Sequence, residues 1–160
     1  MSRVTLQPMT QVQFSNFMEV MFAPYVAERA VADHVPNELT AQYARDQHAQ
    51  LLPQGHLTPG HRFLNIVAAS EDRPVGGVWL SVGVESKHAF LYNITVLPQY
   101  RRRGFASDTL TQIEEIACAA GCTTLGLNVF SSNAGAMALY RKNGFGAVSA
   151  YMNKVVLSAN

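Results

Sequence analysis

The sequence is poor in cysteine and in charge, and each shortage excludes a class of protein. Its 160 residues include two cysteines, Cys118 and Cys122, too few for the disulfide framework of a small secreted domain. Only 14% of the residues are charged while 48% are hydrophobic, so the chain can bury a core and is not disordered. We therefore expect one domain, residues 1–160, whose cysteines are small buried side chains in a reducing compartment.

Four further features are missing, and they limit the partners that the protein can have. The formal net charge is +1, which provides no field for attracting nucleic acid. No apolar run is long enough to cross a bilayer, and residues 1–6 show no apolar signal region. The histidines at 48, 56 and 61 lack the spacing of metal ligands. We expect a cytoplasmic protein that binds no metal, no membrane and no nucleic acid.

One stretch, residues 96–106, has the pattern of a strand end, a tight loop and a helix start. The apolar run 89–96 enters it and the amphipathic run 107–120 leaves it. Gly104 and Ala106 are small, so a ligand can approach the backbone closely there. The first N–H groups of a helix have no partner within it and lie at the positive end of its dipole. This stretch therefore predicts an anion site suited to phosphate.

Two motifs in the sequence resemble those of the GNAT superfamily of acyl-CoA-dependent N-acetyltransferases. The first, Arg101-x-x-Gly104-x-Ala106, is similar to the pyrophosphate loop of that family. The second is similar to its C-terminal signature and reads Asn133-x-x-Ala136-x-x-Leu139-Tyr140-x-x-x-Gly144-Phe145. The resemblance is strongest between residues 75 and 157.

The hydrophobic periodicity predicts a mixed α+β domain. Thr10-x-x-Gln13 is a capping box that begins the first helix, and Pro24 is expected to kink or end this helix. The further predicted strands are 3–8, 61–70, 75–84, 89–96, 123–130, 145–149 and 151–157, and the further predicted helices are 25–32, 38–52, 107–120 and 133–142. Short turns make the strands between residues 61 and 96 antiparallel, whereas the crossover through helix 107–120 makes strand 123–130 parallel to 89–96.

The resemblance adds detail to this fold. It implies a GNAT-like fold in which helices flank a central, mixed, mostly antiparallel sheet. A V-shaped opening is expected between the two central parallel strands, with a bulge in the first of them whose N–H binds an oxyanion. Residues 1–60 would supply the acceptor-side helices, and residues 75–157 the acetyl-CoA-binding core.

The resemblance also assigns residues to the co-substrate, acetyl-CoA. Backbone N–H groups of the loop would hold the diphosphate, arginine side chains would add charge-assisted bonds, and the central strand would hold the pantetheine arm. The cofactor-binding residues implied in this way are Ile94, Thr95, Val96, Arg101, Arg102, Arg103, Gly104, Phe105, Ala106, Asn133 and Tyr140. Asn133 is also a helix N-cap by its position.

The resemblance implies that Tyr140 protonates the departing CoA thiolate, but it does not identify the base. The two positions at which relatives carry a glutamate hold Phe90 and Asn128 here. The candidates that remain are Glu85, His88, Glu28, His34 and a water chain through Tyr92 or Asn128. We select Glu28 because the family builds its acceptor pocket from that region.

The implied function is transfer of an acetyl group from acetyl-CoA to a primary amine, by direct attack in a ternary complex. The acceptor could be a small amine, an antibiotic or the N-terminus of a peptide or protein. A second hypothesis is a CoA-binding regulatory module without turnover, which the two missing glutamates favour. A homodimer is possible from the habit of the family.

Overall fold

The structure is a computed structural model that describes residues 1–157. These residues form two compact units, one of residues 1–21 and 52–128, the other of residues 22–51 and the described residues from 129 onward. The elements in chain order are β1 Val4–Pro8, α1 Gln11–Asp33, α2 Asn37–Leu51, β2 His61–Ala68, β3 Gly76–Gly83, β4 His88–Val96, α3 Phe105–Ala119, β5 Thr124–Leu127 and α4 Ala134–Lys142. Single 3₁₀ turns span Gly55–Leu57 and Pro98–Tyr100.

The sheet of the first unit has five strands among the described residues, in the order β1-β2-β3-β4-β5. The first three pairings are antiparallel, and β4 pairs with β5 in parallel across the α3 crossover. This confirms the predicted α+β class with a mixed, mostly antiparallel sheet. The β4–β5 pair is parallel because α3 carries the chain back along the sheet between the two strands, as a parallel crossover requires.

Both faces of the sheet are packed within the first unit. Along β3, Trp79 lies on one face while Val78 and Leu80 lie on the other, and all three are buried. On the Trp79 face, Gly77 lacks a side chain where one would collide with Phe17 of α1. The helix α3 packs against β1, β4 and β5 and buries an apolar stripe that includes Leu110 and Ile113. The sheet therefore holds β4 and the start of α3 in a defined position.

The predicted capping box at the start of α1 is confirmed. The Gln13 backbone N–H donates to Thr10 Oγ1 at 3.2 Å, and the Thr10 N–H donates to Gln13 Oε1 at 2.9 Å. Of the two outcomes expected at Pro24, an end of the helix is wrong, because α1 continues through it to Asp33. Proline removes a single N–H donor from the helix. Val26 and Ala30 remain buried beyond it, so packing maintains the helical course.

In the second unit, Arg29 connects the end of α1 with α2. Its guanidinium donates to Tyr25 Oη at 2.7 Å and to Gln47 Oε1 at 3.0 Å, and it lies 4.7 Å from the centre of the Tyr43 ring. A bond of 2.7 Å from Asn153 Nδ2 to the Ala32 carbonyl oxygen attaches the chain after α4 to the end of α1. These contacts order the part of the chain that contains Glu28.

Two other expectations are wrong. No strand occurs in residues 145–157, where side chains such as Val148 and Leu157 are exposed. A strand needs a neighbour for its backbone groups, and the described part of the chain offers this segment none. Cys118 is exposed and Cys122 half-buried. Cys118 is one position past the buried Ala117, which turns it about 100° away from the core.

Among residues 1–157, none of the helices combines the length and the apolar character that a membrane crossing requires.

Candidate active site

The loop between β4 and α3 presents a row of unpaired backbone donors. Within residues 1–157, the N–H groups from Arg102 to Ala106 have no protein acceptor, although the Arg101 N–H donates to the Pro98 carbonyl. Arg102 has a φ of +61° and Gly104, the N-cap of α3, has a φ of +82°. Left-handed residues in such a turn direct successive N–H groups into one concavity that suits an anion. The predicted phosphate site has this geometry.

The three arginines of the loop are not equivalent. Arg101 Nε donates to the Val96 carbonyl at 2.9 Å. Arg103 Nη1 pairs with Glu71 Oε1 at 2.7 Å, and its guanidinium lies 4.8 Å from the centre of the Phe105 ring. No bond or ion pair of the Arg102 side chain occurs among the described residues, and this side chain is exposed. Arg102 therefore has a guanidinium whose N–H groups are all available to a ligand, whereas Arg101 already uses its Nε.

Arg3, a residue that the sequence reasoning missed, holds the loop from the far end of the chain. Its Nη1 donates to the Arg103 carbonyl at 2.8 Å and its Nη2 to the Gly104 carbonyl at 3.3 Å. Its Nε and backbone N–H each donate to Asp108 Oδ2 at 2.9 Å. One side chain thus joins the start of β1 to the loop and to the first turn of α3. Arg3 and Asp108 are 105 positions apart, and no local pattern signals such a contact.

Gly104 is required for two independent reasons. Its positive φ is a conformation that side chains with a Cβ rarely adopt. A Cβ at this position would also collide with the guanidinium of Arg3. The glycine of the predicted motif therefore permits both the turn and the Arg3 contact.

The strand β4 contains the bulge that the resemblance implied, and its pairing with β5 covers only the first part of the strand. Trp79 of β3 pairs with Asn93 and Leu80 pairs with Leu91, so Tyr92 has no partner on β3. On its other side, β4 pairs with β5 over four positions that end at Leu91. The remainder of β4, residues 92–96, continues without a parallel neighbour among the described residues. The predicted cofactor residues Ile94, Thr95 and Val96 lie in this unaccompanied part.

A cavity of about 450 Å³, largely open to solvent, lies beside the bulge in the first unit. Its lining consists of Pro59, Gly60, His61, Ser81, Val82, Gly83, Ser86, His88, Phe90 and Tyr92. The Tyr92 ring centre is 4.8 Å from that of Phe90 and 5.7 Å from that of His61. Two imidazoles and two aromatic rings thus border a space next to the bulged residue of β4.

The other predicted site residues belong to the second unit. Asn133 is the N-cap of α4, because its Oδ1 accepts from the Ala136 N–H at 3.1 Å. Tyr140 lies on α4 with its ring centre 5.7 Å from that of Phe145. Burial raises the pKa of the Tyr140 phenol, so the proton stays on the hydroxyl at neutral pH. Glu28 is exposed on α1.

No group of three or more His, Cys, Asp and Glu side chains with the geometry of a metal site occurs in the described residues.

Comparisons with known proteins point in the same direction as this geometry. A family model described as the acetyltransferase (GNAT) family matches residues 25–145. The N-acetyltransferase YycN of Bacillus subtilis, itself described as uncharacterized, is 28% identical over 153 residues, which cover 94% of this chain and 97% of YycN. A crystal structure of YycN superposes with a TM-score of 0.89, covering 97% of this chain and 99% of that one.

Two further proteins match a smaller share of this chain. The ribosomal protein bS18-alanine N-acetyltransferase of Salmonella typhimurium is 33% identical over 112 residues, or 68% of this chain and 74% of that enzyme. The PaiA N-acetyltransferase of Thermoplasma acidophilum, solved in complex with coenzyme A, has a TM-score of 0.67 at 18% identity. It covers 92% of both chains and shows the likeness of fold.

We predict that the bond between Arg3 and Asp108 makes stability depend on pH. Hydrogen bonds from Arg3 lower the pKa of the Asp108 carboxyl below its ordinary value of 3.8. A lowered pKa adds stability above the unfolded-state value, and this contribution is lost as the pH falls through the folded-state value. Asp108→Asn should therefore unfold at lower urea concentration than the wild type at pH 7, and the difference should narrow towards pH 3. An equal difference at both pH values would contradict the role of the carboxylate charge.

Proposed function

Because this chain belongs to the GNAT acetyltransferase family, we propose that it transfers an acetyl group from acetyl-CoA to a primary amine. The observation that carries the proposal is the row of unpaired N–H groups from Arg102 to Ala106 at the start of α3. A diphosphate needs several donors converging on it, together with positive charge. The loop supplies the donors, the dipole of α3 supplies a partial charge, and Arg102 supplies a full one.

The remainder of CoA follows β4 in this proposal. Residues 92–96 lack a parallel neighbour, so their outward backbone groups are free to bond an extended ligand such as the pantetheine arm. Ile94, Thr95 and Val96 would then contact the arm through the main chain. PaiA, which shares this fold, was solved with coenzyme A. Asn133 uses its Oδ1 for the helix cap, which leaves the side-chain amide group for the cofactor.

The proposed reaction is a direct attack of the amine on the thioester. The amine nitrogen forms a bond to the acetyl carbonyl carbon, and the carbonyl oxygen becomes an oxyanion that accepts a hydrogen bond from backbone N–H at the Tyr92 bulge. The C–S bond then breaks, and the CoA thiolate takes a proton from the Tyr140 hydroxyl. The amine loses its proton to a base, for which we propose Glu28. No acyl-enzyme is formed.

The acceptor is a small amine or the N-terminus of a peptide. The relative that is 33% identical over 112 residues is named for acetylating an alanine of ribosomal protein bS18, which supports a peptide acceptor. The second hypothesis from the sequence, a CoA-binding module without turnover, predicts binding of acetyl-CoA and no acetylated product. A single assay separates these possibilities.

We predict that the protein releases free CoA thiol and acetylates at least one amine from a panel of polyamines, aminoglycosides, amino acids and short peptides. Tyr140→Phe should lower kcat with little change in acetyl-CoA affinity, because only the proton donor is lost. Tyr151→Phe, at an exposed tyrosine, is the matched control. Thiol release and product mass are measured together.

Two outcomes of this assay would contradict the proposal. Binding of acetyl-CoA without any acetylated product would favour the regulatory module. Unchanged turnover in Tyr140→Phe would remove the role assigned to this hydroxyl while leaving the transfer itself in place.

We predict that Gly104→Ala weakens acetyl-CoA binding at least tenfold, because the added Cβ strains the turn and displaces Arg3 from the loop. Gly121→Ala is the matched control. Gly121 follows the other end of α3 with a φ of +83°, and a Cβ at this position would meet no atom within 4 Å. Both variants should lose stability, and only Gly104→Ala should lose affinity in isothermal titration calorimetry. Equal affinities in the two variants would argue against the phosphate loop.

We predict that Glu28→Gln lowers kcat while leaving acetyl-CoA affinity unchanged, because the amide cannot accept the proton of the amine. Glu19→Gln, at another exposed glutamate of α1, is the control. The measurement is the dependence of kcat on pH with the acceptor found in the panel. If Glu28→Gln and Glu19→Gln behave alike, Glu28 is not the base.

A further inference from the structure

The orientation of His61 in the cavity is set by a buried tryptophan. Trp79 Nε1 lies 2.9 Å from His61 Nδ1. An indole N–H can only donate, so Nδ1 must be the acceptor in this bond. A neutral imidazole carries one proton, and here the proton is on Nε2. Partial burial lowers the pKa of His61, which favours this neutral form near pH 7.

The proton on His61 Nε2 has no acceptor within the described part of the chain. His61 lines the cavity, and its ring centre is 5.7 Å from the ring of Tyr92, the bulged residue of β4. It is therefore an oriented hydrogen-bond donor next to the place at which the acetyl carbonyl is expected. The Trp79 bond also prevents His61 from acting as the base, since its only lone pair is already used.

The other imidazole of the cavity lies further from the bulge. His88 is four residues before Tyr92 on β4, a separation of about 13 Å along a strand. Its Nδ1 lies 2.7 Å from Thr124 Oγ1, and because a hydroxyl can donate or accept, that contact leaves the tautomer open. An acceptor that reaches the bulge consequently meets His61 near its reacting end and His88 near its far end.

On the basis of the acetyl transfer proposed above, we infer that this cavity binds the acceptor and that His61 Nε2–H donates to an oxygen adjacent to its amine. A compound with an α-amino group next to a carbonyl fits this requirement. That description covers the N-terminus of a peptide and an amino-acid amide. His61 is then a residue that determines specificity, and Trp79 is a positioning residue for it.

The remainder of the lining supports this class over polycations. None of the lining residues is Asp, Glu, Lys or Arg. A polyamine or aminoglycoside would bring several positive charges that find no carboxylate to pair with in the lining. Phe90 and Tyr92 instead present aromatic faces to an apolar side chain. The volume of about 450 Å³ is within the usual range for small-ligand pockets.

The test compares two acceptors that differ in the carbonyl, L-phenylalaninamide and 2-phenylethylamine, at saturating acetyl-CoA. The measured quantity is kcat/KM for the amide divided by kcat/KM for 2-phenylethylamine. The change of this ratio on mutation is compared, because the two amines differ in basicity. Loss of one neutral hydrogen bond is worth about 3- to 10-fold. His61→Leu should reduce the ratio by that factor, whereas His61→Gln, which retains a donor, should reduce it less. His56→Leu is the control at a histidine outside the lining.

Trp79→Phe separates orientation from packing. It leaves His61 in place but removes the donor that fixes its tautomer, so the ratio should fall although the imidazole remains. A purely structural role for Trp79 would change both amines equally and leave the ratio as in the wild type. Acetyl-CoA affinity, measured for every variant, should stay at the wild-type value because the phosphate loop is not altered.

The inference fails if His61→Leu keeps the wild-type ratio, or if the wild type acetylates other amines of the panel and not the amide. In both cases the proposed acetyl transfer stands. If no amine is acetylated, the proposed function fails and the inference fails with it. Should His61→Leu lose acetyl-CoA binding through misfolding, His61→Gln and Trp79→Phe decide the question.

Discussion

The parallel pairing of β4 with β5 stops after four positions, and the candidate site depends on this limit. Because β5 ends at Leu127 while β4 continues to Val96, half of β4 keeps one free edge in the described chain. The chain that leaves this edge must turn back into α3 to complete the parallel crossover. The loop of residues 97–104 therefore lies at the end of the free edge. An extended ligand can therefore bond to the free edge of β4 and to the N–H groups of the loop.

Preorganisation of the loop comes in part from Arg3, in addition to the bonds within the loop itself. A single exposed ion pair contributes little to stability. Arg3, however, makes five hydrogen bonds of 2.8–3.3 Å with Arg103, Gly104 and Asp108, and these bonds hold the loop against the start of α3. Donors already aimed at an anion need no reordering when it binds. Arg3 therefore acts mainly by positioning the loop, and it contributes less to the free energy of unfolding.

Within the cavity, a hydrogen-bond donor is likewise held in a fixed orientation by other residues of the protein. The His61 ring is half-buried beside the stacked rings of Trp79 and Tyr92, and the indole N–H determines which of its nitrogens carries the proton. The buried Trp79 thus determines that His61 presents an N–H donor, rather than a lone pair, to the cavity. Trp79 also stacks on Tyr92 at 4.5 Å between ring centres. The same tryptophan therefore contacts both the bulged residue and the imidazole of His61.

Local patterns predicted the parts of the structure whose causes are local. The Thr10–Gln13 capping box and the Asn133 cap each depend on residues three positions apart, and both formed as expected. The predictions that failed concerned segments decided by packing. Pro24 did not end α1, and residues 145–157 did not form strands. The local sequence shows neither the packing that keeps a helix continuous through a proline nor the lack of a partner strand for an apolar segment.

The sequence by itself determined the fold class and the glycine loop before α3, because both depend on short-range spacing of glycine, proline and apolar residues, whereas the motif that contains Tyr140 was identified by resemblance to a family. Only the tertiary structure decided that Arg3 clamps the loop, that Tyr92 is the bulged residue and that Trp79 orients His61. The physical reason is that these roles arise from strand register and from contacts between residues distant in the chain. Arg3 and Asp108 are 105 positions apart, and His61 and Trp79 are 18.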